Sequence, residues 1–130
     1  MPTPTDCRYT KEHEWVRVEG SVGTIGVTDY AQDELGDVVY VELPSAGASV
    51  KQFEKLGEIE SVKAVTDVFS PVSGELVEVN EGVNDHPELV NQSPYEKGWL
   101  IRVRLADSAE LEALLTAKQY DQLVAEAHSE

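Results

Sequence analysis

Gly57-Glu58-Ile59-Glu60-Ser61-Val62-Lys63-Ala64-Val65-Thr66-Asp67-Val68-Phe69-Ser70-Pro71-Val72-Ser73-Gly74 is the stretch that decides how this 130-residue chain is read. Gly57 to Val62 carries the pattern of one strand and Val65 to Phe69 that of another. Short β-branched runs on either side of a few residues read as a hairpin. Pro71 stops the second strand, because proline cannot donate to a ladder. Lys63 then projects from the hairpin tip, among the carboxylates Glu58, Glu60 and Asp67. On the hairpin alone, a solvated lysine is the simpler account of it.

The same periodicity extends outward on both sides. Trp15 to Val18, Val22 to Val27 and Val38 to Leu43 read as strands, and the last is almost wholly apolar, so a buried strand is expected. Pro44 ends it. Gly74 to Val79 alternates apart from Val77, and Leu100 to Leu105 alternates with Arg102 and Arg104 on the wet face. Helices are few. Asp29-Tyr30-Ala31-Gln32 reads as a capping box, with Gly36 as the left-handed stop about two turns later. Asp107 with Glu110, followed by Leu111, Leu114 and Leu115, predicts a second helix. Thr116 with Gln119, followed by Tyr120, Leu123 and Val124, predicts a third. The fold class expected is mainly β, a flattened sandwich or hybrid barrel of antiparallel strands with short peripheral helices. Residues 1–130 form one domain in this reading, with C-terminal helices at about 107–127.

Composition narrows the function. Asp and Glu total 25 against 10 Lys and Arg, a formal net charge of −15. Such a surface repels phosphate backbones and excludes nucleic acid as a partner, while it suits partners with basic docking faces. Cys7 is the one cysteine, so no internal disulfide forms. The opening Met1-Pro2-Thr3-Pro4-Thr5-Asp6 has neither a basic nor an apolar leader pattern, and no apolar run reaches the length of a membrane span. A bacterial cytoplasm is the expected location. Neither a nucleophile elbow nor a phosphate loop is present. His13, His86 and His128 stand outside metal-ligand frames. His86 reads as solvated in a polar loop and His128 as part of a fraying tail.

Glu60-Ser61-Val62-Lys63-Ala64 with Gly74 eleven residues on from Lys63 (74 − 63 = 11) resembles the attachment hairpin of lipoyl and biotinyl carrier domains. Biotin carriers place Met on both sides of the lysine, whereas Val62 and Ala64 stand here. Three further blocks resemble the H proteins of the glycine cleavage system. They are Tyr9-Thr10-Lys11-Glu12-His13-Glu14-Trp15, the run from Gly26 to Pro44, and Leu89-Val90-Asn91-Gln92-Ser93-Pro94-Tyr95 with Gly98-Trp99. The resemblance runs from about Tyr9 to Tyr120. Position 34 is often His in that family and is Glu34 here, so no role is carried onto it.

The resemblance implies a shuttle rather than an enzyme, with lipoic acid joined to Lys63 by an amide. It implies four partners: a pyridoxal-phosphate glycine decarboxylase, a tetrahydrofolate-dependent aminomethyltransferase, dihydrolipoamide dehydrogenase, and an enzyme that attaches the lipoate. The lysine would be a tether that raises the effective concentration of the arm's sulfurs at each active site. Glu14 and Asp67 would line the cleft into which the aminomethyl-loaded arm folds, and hold its ammonium charged. Glu12, two residues before Glu14 in an extended strand, would face the same side, with His13 and Trp15 on the other. Glu14 and Asp67 are expected on the wet faces of their strands. Two other readings stay open. One is an H-like protein relaying lipoate to other complexes, and the other is an unmodified β-sandwich interaction module. An enzyme ranks last, because no nucleophile–base pair stands out.

Overall fold

The computed structural model describes residues 2–128, and the side chain of His128 lies outside the described residues. Among the described residues nine strands form two sheets: β1 (Cys7–Tyr9), β2 (Glu14–Glu19), β3 (Val22–Val27), β4 (Val38–Glu42), β5 (Ser49–Val50), β6 (Lys55–Ser61), β7 (Val65–Phe69), β8 (Gly74–Val79) and β9 (Ile101–Leu105). The larger sheet runs β1-β2-β3-β9-β8-β5 and the smaller β4-β6-β7. Every pairing is antiparallel. Val16, Ile25, Leu76 and Val103 of the larger sheet meet Val38, Val41, Ile59 and Val68 of the smaller in one core. Each such side chain contributes about 1.5–3 kcal/mol when fully buried. This is the flattened β-sandwich expected from the strand pattern.

Helix α1 (Asp29–Leu35) leads from β3 to β4. Its cap lies one residue earlier than the sequence suggests: Thr28 is extended (φ −76°, ψ 167°) and its hydroxyl accepts from the Ala31 amide. The Thr28 amide donates to the His13 carbonyl, which holds it outside the helix. The capping box is not formed: Gln32 Nε2 donates to the Asp29 carboxylate at 2.9 Å, and the Asp29 amide donates to the Tyr95 hydroxyl at 3.0 Å. Gly36 takes the stop position at φ 75°. Two short helices, α2 (Glu81–Asp85) and α3 (Leu89–Gln92), carry no strong apolar period and escape a pattern-based reading. His86 caps α2 and is solvated, with Nδ1 3.4 Å from Glu88.

At the C-terminus Asp107 caps a helix as predicted, but of the 3-10 type (Ser108–Ala113). Glu110 does not close a capping box; its carboxylate accepts from the Ser73 amide and hydroxyl instead. Helix α4 (Ala117–His128) begins on the reciprocal Thr116–Gln119 box. Tyr120, Leu123 and Val124 cover Tyr9, Trp15 and Tyr95 on the outer face of the larger sheet.

Strand β4 departs from expectation. It is an edge strand with a bulge between Val38 and Tyr40, so Val39 and Tyr40 are 49% and 55% exposed. A bulge shifts the pleat by one residue, which lets two consecutive side chains turn outward.

Candidate functional site

The hairpin tip is held from three sides. The Ser61 amide donates to the Ala64 carbonyl at 2.8 Å, and the Ser61 hydroxyl accepts from the Lys63 and Ala64 amides at 3.1 and 3.2 Å. The Val62 amide donates to the Asp37 carbonyl at 3.0 Å, tying the tip to the segment after α1. Asn91, on α3, fixes that segment in turn. Its amide group donates to the Gly36 carbonyl at 2.8 Å and to Gln32, and its carbonyl oxygen accepts from the Val38 amide. The backbone around Lys63 is thus pre-set while its side chain is exposed. Lys63 Nζ donates to the Glu34 carbonyl at 3.4 Å. That carbonyl belongs to the last turn of α1, where unpaired carbonyls favour a cation.

Beside the hairpin lies a cavity of about 440 Å³. Lys63, Glu34, Tyr30, Glu12, His13, Glu14 and Asp67 all line it, beside apolar side chains such as Leu35, Ile59 and Val68. All four residues singled out from sequence therefore meet in one place, although they come from separate segments. The route differs from the one expected in three respects. Glu12 lies in a turn, not in a strand, closed by Thr10 N–Glu14 O (2.9 Å) and His13 N–Thr10 O (3.2 Å). His13 sits there at φ 72° and so turns toward the cavity rather than away from it. Glu14 is not on a wet face; it is 2% exposed.

The burial of Glu14 follows from the packing of β2. Its inner face meets the end of β7 and its outer face is covered by α4, so Glu14, Trp15 and Val16 are all buried. The carboxylate accepts from the Thr10 hydroxyl at 2.5 Å and from the Phe69 amide at 3.2 Å, which joins the two sheets. Burial pushes its pKa up to about 7, against the opposing pull of these two hydrogen bonds. Asp67 is half exposed and lies 3.3 Å from Lys55, which also pairs with Glu58. Trp15 is core, as expected, with its indole N–H shared between the Val27 and Pro94 carbonyls.

Residues 7–127 match the family model described as Glycine cleavage H-protein. The chain belongs to that family. It is 58% identical over 126 residues to the glycine cleavage system H protein of Geobacillus kaustophilus (strain HTA426), covering 97% of this chain and 99% of that one. It is 56% identical, with the same coverage, to the H protein of Geobacillus sp. (strain WCH70). The crystal structure of a glycine cleavage system H protein from Mycobacterium marinum superposes with a TM-score of 0.86 at 38% identity, over 94% of this chain and 98% of that one. Within an H-protein frame, the contributions of His13, Tyr30, Glu34 and Asn91 had no local sign in the sequence. Each acts on a partner far along the chain.

Proposed function

We propose that this chain is the lipoyl-bearing shuttle of a glycine cleavage system, with Lys63 as the attachment point. When bound, lipoate supplies a disulfide–dithiol couple that carries an aminomethyl unit and then electrons between enzymes. The observation that carries the reading is the placement of an exposed lysine on a hydrogen-bonded hairpin tip beside a cavity whose lining includes Glu12, Glu14, Glu34 and Asp67. The residues fit the group: Lys63 Nζ has only a carbonyl partner among the described residues, and the adjoining cavity is within the range of small-ligand pockets.

The roles of the chain's own residues follow. Acylation of Lys63 exchanges an N–H for an amide N–C bond and abolishes its basicity, so the lysine is afterwards only a tether. Glu12, Glu14 and Asp67 offer negative charge to a cationic cargo and favour its protonated form. Glu14, with a pKa near 7, is close to half ionised at neutral pH. A cation arriving beside it lowers that pKa and releases its proton.

The partners follow from the same reading: glycine decarboxylase, an aminomethyltransferase, dihydrolipoamide dehydrogenase and a lipoate-attaching enzyme. The last must grip the chain within one lysine side chain of the tip. There it meets an apolar collar of Val39, Tyr40, Val62 and Val65, all about half exposed or more. Tyr40, Glu60 and Val65 form one cross-strand row. On a chain of net charge −15 this collar suits an apolar docking face with a basic rim. The chain itself performs no catalysis in this scheme, and the bacterial relatives support a cytoplasmic setting. Intact mass after co-expression with a lipoate-attaching enzyme and lipoate tests the proposal. One lipoyl adduct is expected in the wild type and none in Lys63→Arg. An unmodified wild type would favour a plain interaction module.

A further inference from the structure

A chain of hydrogen bonds runs from α1 through α4 to the wall of the cavity. The Ala31 amide donates to the Thr28 hydroxyl at 3.2 Å. Thr28 Oγ1 lies 2.7 Å from the Tyr120 hydroxyl, and that hydroxyl lies 2.8 Å from His13 Nδ1. Thr28 and Tyr120 are closed to water, at 0% and 2% exposure.

Counting protons gives this chain a direction. The Ala31 N–H can only donate. The Thr28 hydroxyl proton then has the Tyr120 oxygen as its one partner among the described residues. The Tyr120 proton is left for His13 Nδ1, which must therefore be an acceptor, and the ring proton sits on Nε2. The reverse direction sends Nδ1–H into Tyr120 and the Tyr120 proton into Thr28. It leaves the Thr28 proton without a partner in a dry site, which weighs roughly tenfold or more against it.

We propose that Tyr120 is a positioning residue that locks His13 as the neutral Nε2–H tautomer, so that no imidazolium forms inside the cavity to neutralise its carboxylates. An imidazolium carries protons on both nitrogens, so charging His13 requires the disfavoured reversal. The groups that face the ring are Glu12 and Glu14 from its own segment, Tyr30 and Glu34 from α1, Asp67 and Lys63 from the hairpin, and Tyr120 from α4. Burial lowers the His13 pKa and outweighs the upward pull of Glu12 and Glu34. Asp67 already pairs with Lys55, and Lys63 lines the same cavity; a neutral His13 adds no further cation, so Glu12 and Glu14 remain available to a cation entering it. What that cation is rests on the shuttle reading above; the tautomer does not.

The test uses the unmodified full chain. Nitrogen shifts of ¹⁵N-histidine protein should show His13 as the Nε2–H tautomer, titrating below 6.5. Tyr120→Phe keeps the ring that stacks on Tyr9 at 4.8 Å and removes only the hydroxyl. Its His13 midpoint should rise by about one pH unit or more, a tenfold shift, whereas Thr28→Ser, which keeps a hydroxyl, should behave as wild type. Methylammonium chloride, compared with sodium chloride at pH 6, should bind the cavity about threefold more weakly in Tyr120→Phe. That is the repulsion of two like charges roughly 6 Å apart in water. A wild-type Nδ1–H tautomer overturns the proposal, as does an unmoved midpoint in a folded Tyr120→Phe or equal methylammonium binding. If Tyr120→Phe does not fold, the wild-type tautomer decides alone. None of these readouts involves lipoate, so their failure is separate from failure of the mass measurement.

Discussion

Among the described residues, Glu14 is the one buried carboxyl that bridges the two sheets, and Glu14→Gln removes it. Glu14 is 2% exposed and accepts from both Thr10 and Phe69. The amide matches only one of these donors. Its NH₂ faces either the Phe69 N–H or the Thr10 hydroxyl, whose oxygen already accepts from the Glu12 and Glu14 amides. A buried mismatch of this kind costs about 1–3 kcal/mol. The pH dependence is more discriminating. Burial raises the Glu14 pKa from 4.5 to about 7 in the folded chain. Below pH 4.5 folded and unfolded chains both hold the proton. Between 4.5 and 7 only the folded chain holds it, so this contribution to stability is lost as pH rises through that window. A difference of roughly 2.5 units corresponds to about 3 kcal/mol as an upper value. Glutamine does not titrate, and every other carboxyl is common to both proteins. Urea unfolding of both at pH 4.5, 6, 7 and 8 should therefore show the wild type losing ground to the variant by up to that amount. A stability difference that stays constant from pH 4.5 to 8 would refute the assignment of a buried, protonated Glu14.

Other outcomes follow from single contacts. Gly36→Ala places a Cβ at φ 75° and 3.2 Å from Lys63 Cε, so a loss of about 1–2 kcal/mol is expected by denaturant unfolding, and slower lipoylation with it. Asp67→Asn, half exposed, should change stability by only about 0.5 kcal/mol. The same variant, carrying lipoate and loaded with the aminomethyl cargo, should release formaldehyde and ammonia faster than wild type without any aminomethyltransferase; an unchanged rate would remove Asp67 from the site. Tyr40→Ala with Val65→Asp should raise the KM of the lipoate-attaching enzyme several-fold while leaving its kcat near wild type, since the collar lies outside the reacting amine.

Much of the fold was legible because strand and helix signals are local. The spans of β3, β7 and β8 follow from alternation bounded by Gly and Pro, and the α4 box from Thr116 and Gln119. Strand β1 and the two-residue β5 are too short to carry a period. The apolar run of β4 reads as buried because periodicity sees only hydrophobicity; the bulge that turns Val39 and Tyr40 outward depends on pairing with β6. Gly74 was legible only as part of a spacing. Its structural reason is that a Cβ there would lie 2.0 Å from the Arg104 carbonyl of β9.

The resemblance to the H proteins named the candidate carboxylates, while the sequence by itself determined that the chain is mainly β and that Lys63 stands at a hairpin tip. These depend on neighbours a few residues away, whose geometry the backbone dictates. Tertiary structure alone decided that Glu14 is buried, that His13 faces the cavity, and that Tyr120 reaches it from a helix more than a hundred residues further along. Each of these depends on how two sheets and a terminal helix close on one another. Burial is a property of everything packed around a side chain, and no local pattern records it.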